Sequence, residues 1–78
     1  MPKRTVDYTL DVLNALKAEG CKDVVDKGVL IKKIRLMVGD KGDVPLRYVD
    51  FMEGQGLIVC EGAVCKVDWD RVERLEGV

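Results

Sequence analysis

The chain has 78 residues, 47% of them hydrophobic and 35% charged, with a net charge of −1. That length holds one core and therefore one domain, and ordinary apolar content with only two prolines excludes collagen-like, mucin-like and disordered classes. No apolar run approaches the ~18 residues of a membrane-spanning helix, and no basic stretch leads into an apolar one as in a secretory signal, so a cytoplasmic protein without a membrane partner is expected.

Residues 1–5 form a basic end, expected to be flexible. The spacing predicts a first helix over residues 6–19, with Val6, Leu10, Leu13 and Leu16 on one side and Val12 widening the stripe. Thr5 or Asp7 can cap its start, and Gly20 stands where a left-handed residue would end it. Val24 and Val25 suggest a short strand. Asp26 can then cap a second helix over residues 28–38. There Leu30, Ile34 and Met37 follow a helical period, with Ile31 and Val38 beside them and Lys32, Lys33 and Arg35 opposite. The β-branched content makes a buried strand the competing reading, but the lysine pair interrupts strict alternation and favours a helix.

Gly39–Asp43 is the clearest loop. Asp43 can cap a third helix, about 44–54, with Pro45 in its first turn, where a missing N–H costs nothing. Leu46, Val49 and Met52 are its expected inward stripe, with Phe51 at the margin, and Gly54 and Gly56 end it. Two strands, 57–60 and 64–69, flank Glu61-Gly62-Ala63, so that Ile58, Cys60, Cys65 and Val67 share one face. Asp68 or Asp70 can start a C-terminal helix over 69–76. Its edge of Trp69, Val72 and Leu75 can close over its own domain or meet a twin across a two-fold axis.

The residues that are missing narrow the chemistry. The chain has no His and no Ser, and single copies of Asn (Asn14) and Gln (Gln55). Serine- or histidine-based nucleophilic catalysis is thus excluded within one chain. No carboxylate pair sits in a recognisable motif, and Gly39-Asp-Lys-Gly42 lacks phosphate-loop spacing. Neither enzyme activity nor a cofactor nor a small-molecule substrate is expected. High charge with few amides resembles thermophile composition. Three cysteines exclude a complete disulfide framework. Cys60 and Cys65 are either reduced thiols packed as small apolar residues or a cross-strand disulfide. Zinc held by Cys21, Cys60 and Cys65 would lack a fourth ligand, so no metal is expected.

The charge is uneven along the chain. Lys27, Lys32, Lys33, Arg35, Lys41 and Arg47 face only Asp40 and Asp43 in the middle, whereas from Tyr48 onward three basic residues meet seven acidic ones. Such a distribution can orient a protein on a polyanion, or it can describe solvated faces that offset one another.

The element order, and the third-helix ending Val49-Asp-Phe-Met52-Glu-Gly-Gln-Gly56-Leu57-Ile58, resemble the winged helix-turn-helix transcription regulators. The resemblance covers roughly residues 6–68. It implies an α+β fold with a three-helix core, a two-stranded wing hairpin over 57–68 and a short C-terminal helix. It also implies binding of double-stranded DNA, with the third helix in the major groove and the wing on the neighbouring backbone. Carried onto this chain, Arg47 would donate to guanine or phosphate and Tyr48 would touch a base edge or phosphate. Lys41 would face phosphate, with Lys32, Lys33 and Lys66 as further phosphate contacts and Lys3 and Arg4 as an arm. The chain departs from the family where Val44-Pro45-Leu46 replaces the frequent Ser and Thr, where Asp50 and Glu53 share the helix with Arg47, and where Glu61 stands at the wing tip. A monomer would then bind DNA weakly, and a homodimer reading two half-sites would bind better. The alternative function is a winged-helix protein-interaction module or small subunit of a larger complex. The near-neutral charge and Asp50, Glu53 and Glu61 point that way; independently of function, Arg47 can instead pair with Asp43 or Asp50 on the helix surface and Tyr48 can be a half-buried core aromatic.

Overall fold

In a computed structural model, residues 4–77 are described and form an α+β domain of four helices and a three-stranded antiparallel sheet. In chain order these are α1 (Thr5–Ala18), β1 (Val24–Asp26), α2 (Lys27–Met37), α3 (Val44–Gly54), β2 (Ile58–Glu61), β3 (Val64–Val67) and α4 (Trp69–Glu76). No helix among the described residues is long and apolar enough to cross a membrane.

The start of α1 differs from expectation. Thr5 is already helical and Arg4 holds the cap position. Asp7 Oδ2, three residues on, accepts the Arg4 backbone N–H at 3.1 Å and lies 3.5 Å from the Arg4 guanidinium. Arg4 is thereby tied to a helix start rather than forming part of an arm, and Lys3 lies outside the described residues. The far end of α1 follows expectation. Gly20 takes a φ of 96°, Gly20 N–H donates to Lys17 O, and Cys21 N–H donates to Leu16 O. This pair of bonds closes the helix and folds Cys21 back toward the core.

The three main helices meet on leucines, isoleucine and valines. Val12, Leu13 and Leu16 of α1, Leu30 and Ile34 of α2, and Val49 and Met52 of α3 are all buried. Each such side chain removed from water contributes roughly 1.5–3 kcal/mol before chain entropy is set against it. Asp26 caps α2 by accepting Gly28 N–H at 2.8 Å. The expected inward stripe of α3 needs one correction. Pro45, not Leu46, is buried with Val49 and Met52, and Leu46 is 55% exposed. Pro45 and Val49 are four residues apart and Met52 three further, so these three share a face and Leu46 lies about 100° round from it.

The sheet has the order β1-β3-β2, so the segment before α2 joins the hairpin as a third strand. Cys60 pairs with Cys65, Val59 with Lys66, and Val25 with Cys65. One face turns Val25, Ile58, Cys65 and Val67 into the core, while the other presents Val24, Val59 and Lys66 to solvent. Cys60 and Cys65 are joined in a disulfide with Cα atoms 3.9 Å apart, which overturns the reduced-thiol reading. The register explains the bond, because the two residues stand directly opposite on the same face. Cys21 is free.

Asp68 caps α4, accepting Arg71 N–H at 3.2 Å. This helix closes over its own domain. Val72 is buried, Trp69 and Leu75 pack against the core, and Trp69 Nε1 donates to Lys22 O at 2.8 Å. Toward α1, Asn14 Nδ2 donates to Glu76 and Lys17 lies 3.8 Å from Glu73. The apolar edge of α4 is therefore spent within the molecule.

Candidate nucleic-acid interface

The α2–α3 turn and the first turn of α3 are held in place from both sides. Pro45 anchors the start of α3 in the core, and Val44 N–H donates to Lys41 O at 3.2 Å across the turn. Asp43 stands at the helix cap position, but its carboxylate makes no bond to the helix N–H groups. It lies instead 3.8 Å from Arg47, one turn along, with both side chains about 70% exposed. The expected cap is thus replaced by a surface ion pair. Pairs this wet contribute ~0–1 kcal/mol, so Arg47 can exchange Asp43 for another anion at little cost.

Val38, Asp40, Lys41, Val44, Arg47 and Tyr48 line a recess of about 440 Å³ at this corner. Three of the expected DNA contacts, Lys41, Arg47 and Tyr48, are brought together here, with the Asp40 carboxylate beside them. Tyr48 is half-buried and packs against the core while its ring borders the same recess. It is a packing residue that remains only partly accessible, which limits what contact it can make.

The remaining expected contacts are scattered. Lys32 is exposed on α2. Lys33, one residue on, is bound to Glu19 at the end of α1, and its side chain is only 19% exposed. That ion pair ties α2 to α1 and removes Lys33 from the set of free cations. Lys66 projects from the outer face of the sheet between Val24 and Val59. It shares a second recess, about 550 Å³, with Asp23, Glu61, Asp68 and Asp70. A phosphate approaching Lys66 meets those carboxylates, so Lys66 does not extend the Lys41–Arg47 corner.

The exposed face of α3 carries Leu46, Arg47, Asp50 and Glu53, and α2 exposes Val29 and Leu36, the latter 72% open. None of these three apolar residues is expected at a surface from the stripes of α2 and α3. Val29 and Leu36 are seven residues apart and flank the exposed Lys32, a spacing that puts all three on one helix face. That is the signal by which they could have been found. No group of three or more metal-binding side chains is present among the described residues. The chain matches no known family model, no curated protein and no solved structure.

Proposed function

We propose that the chain is a small winged helix-turn-helix domain that binds double-stranded DNA through the N-terminal turn of α3. The element order and the strand order β1-β3-β2, with β2 and β3 as the wing hairpin, support this reading of the fold. The observation that carries the function is the corner where Lys41 and Arg47 flank one recess on an exposed helix start. In this reading α3 enters the major groove, Arg47 leaves Asp43 for guanine or phosphate, and Lys41 and Lys32 hold the backbone. Asp50 and Glu53 on the same helix repel phosphate, so affinity is low and confined to the helix start.

Fluorescence anisotropy with a random duplex over a salt series tests this. Engagement of ~3–5 phosphates per chain gives a slope of log K against log salt of about −2.7 to −4.5. Arg47→Ala and Lys41→Ala each flatten that slope by about one unit. Absence of binding at low salt and high protein concentration would sink the proposal.

A second reading, a protein-docking module, is favoured by the exposure of Leu36 on α2 and of Leu46 on the helix that also carries Asp50 and Glu53. Under that reading Leu46→Lys abolishes partner capture while nuclease treatment leaves it intact. Under the DNA reading Leu46→Lys instead strengthens duplex binding.

A further inference from the structure

We propose that the recess between the α2–α3 loop and α3 binds a free apolar α-amino acid, its carboxylate toward Lys41 and Arg47 and its ammonium toward Asp40. The recess has two walls. Val44, Arg47 and Tyr48 come from α3 at steps of three and one, which sets them on one helix face. Val38, Asp40 and Lys41 come from the chain leaving α2. Backbone bonds hold the loop wall: Val38 N–H and Gly39 N–H donate to Ile34 O at 2.8 and 3.2 Å, and Val44 N–H donates to Lys41 O at 3.2 Å. Buried Pro45 and the packing of Tyr48 against the core hold the α3 wall. A site formed in advance loses little binding energy to ordering.

The contents of the recess select the ligand. At about 440 Å³ it falls in the size range of small-molecule sites. Val38, Val44 and Tyr48 give it an apolar lining, which only a ligand with an apolar body can cover. The charges around it are two of each sign. Lys41, Arg47 and Asp40 line the recess, and Asp43 lies 3.8 Å from Arg47. Lys41 and Asp40 are exposed, and neither side chain has an ion-pair or hydrogen-bond partner among the described residues. A ligand with one net charge unbalances this set of four, whereas a zwitterion leaves it neutral and gives both free groups a partner. An α-amino acid carries a carboxylate, an ammonium and an apolar body on one carbon. Its carboxylate can take the Arg47 guanidinium in a two-point contact and Lys41 as a point charge. The recess at Lys66 lacks this balance, since Asp23, Glu61, Asp68 and Asp70 surround a single cation there.

The site does not rest on duplex binding, although both call on Arg47 and Lys41. Its test contains no nucleic acid, so its failure leaves the duplex reading standing. Isotope-labelled full chain is titrated with L-phenylalanine and L-leucine at mildly acidic pH, where every ligand amine stays charged, and backbone amide shifts are followed. Saturable shifts centred on residues 38–48 are expected, with a dissociation constant of about a millimolar or tighter for at least one of the two. N-acetyl-L-phenylalanine lacks the ammonium, L-phenylalaninamide lacks the carboxylate and glycine lacks the apolar body. Each binds about tenfold or more weakly than L-phenylalanine. The first two also reproduce the ends of a peptide, so their weakness separates a free amino acid from a peptide terminus. Asp40→Asn narrows the preference over the N-acetyl form, and Lys41→Met narrows the preference over the amide. Both positions are exposed, so the remaining amide shifts stay unchanged. Shifts that never saturate, saturation that maps outside residues 38–48, or derivatives that match the parent amino acid in affinity overturn the proposal. So does a preference for the free ammonium that survives Asp40→Asn undiminished.

Discussion

The guanidinium of Arg71 lies against Gly56 so closely that a Cβ added there would stand 2.0 Å from Arg71 Nη1. The same nitrogen donates to Gln55 O at 3.3 Å, so α4 reaches across to the exposed carbonyl end of α3. Gly56 itself has a φ of 73°, and it passes the chain from α3 into β2 through the Leu57 N–H to Met52 O bond. Gly56→Ala is expected to lose ~1–2 kcal/mol from the left-handed backbone alone. The clash falls on the far end of a flexible side chain and adds little. Urea denaturation of Gly56→Ala, Arg71→Ala and the double variant checks this. A loss in the double variant smaller than the sum of the two single losses, with the glycine change dominant, is the expected result, because the added Cβ already displaces the guanidinium.

Thr9 on α1 is fully buried, and its hydroxyl has no hydrogen-bond partner. A buried unsatisfied donor costs ~1–3 kcal/mol relative to an apolar group of the same shape. Thr9→Val therefore raises stability by about 1 kcal/mol after its small loss of helix propensity. Thr9→Ala gains less because it leaves a void. Chemical denaturation midpoints at an unchanged slope distinguish the two.

The Cys60–Cys65 bond closes a loop of only a few residues, so its chain-entropy contribution is about 2 kcal/mol, the low end for disulfides. Reduction with a phosphine should lower stability by about that much without unfolding the domain. Cys65→Ser should cost more than Cys60→Ser, because Cys65 is fully buried and Cys60 is only half so. Thermal melts of the three samples, side by side, report the order.

The Lys33–Glu19 pair separates two neighbours that the sequence treats alike. Lys32→Ala should weaken duplex binding and reduce its salt slope by about one unit, while Lys33→Ala should leave the slope within error and reduce stability instead. Anisotropy and urea melts on the same two variants give opposite rankings if the assignment is right.

Much of the architecture is legible in the residues because its punctuation is chemical. Gly20 and Gly56 end helices through positive φ, Asp26 and Asp68 cap helices with their carboxylates, and the Cys60–Cys65 face follows from strand alternation. The periodicity alone puts Leu46 on the inward stripe, because it leaves proline out of the apolar count. Pro45 is also an apolar side chain, and its burial rotates the α3 stripe away from Leu46. The fate of individual cations was not legible. Whether Lys33 meets Glu19, or Lys66 stands among carboxylates, depends on how distant elements pack. The missing Asp43 cap is a local matter instead, since its carboxylate stands beside the Arg47 guanidinium one turn along, a pairing that the four-residue spacing already offered.

Trp69 is the sole indole of the chain, and it ties the first turn of α4 to the Lys22 carbonyl while lying 5.6 Å beneath the Lys17 ammonium. Its emission therefore registers one seam alone, where the last helix latches onto the connector behind α1. Undocking of that latch ahead of global melting would redden and dim the fluorescence while the far-ultraviolet helical signal persists. The molecule thus carries a built-in optical gauge for the order in which its parts come apart.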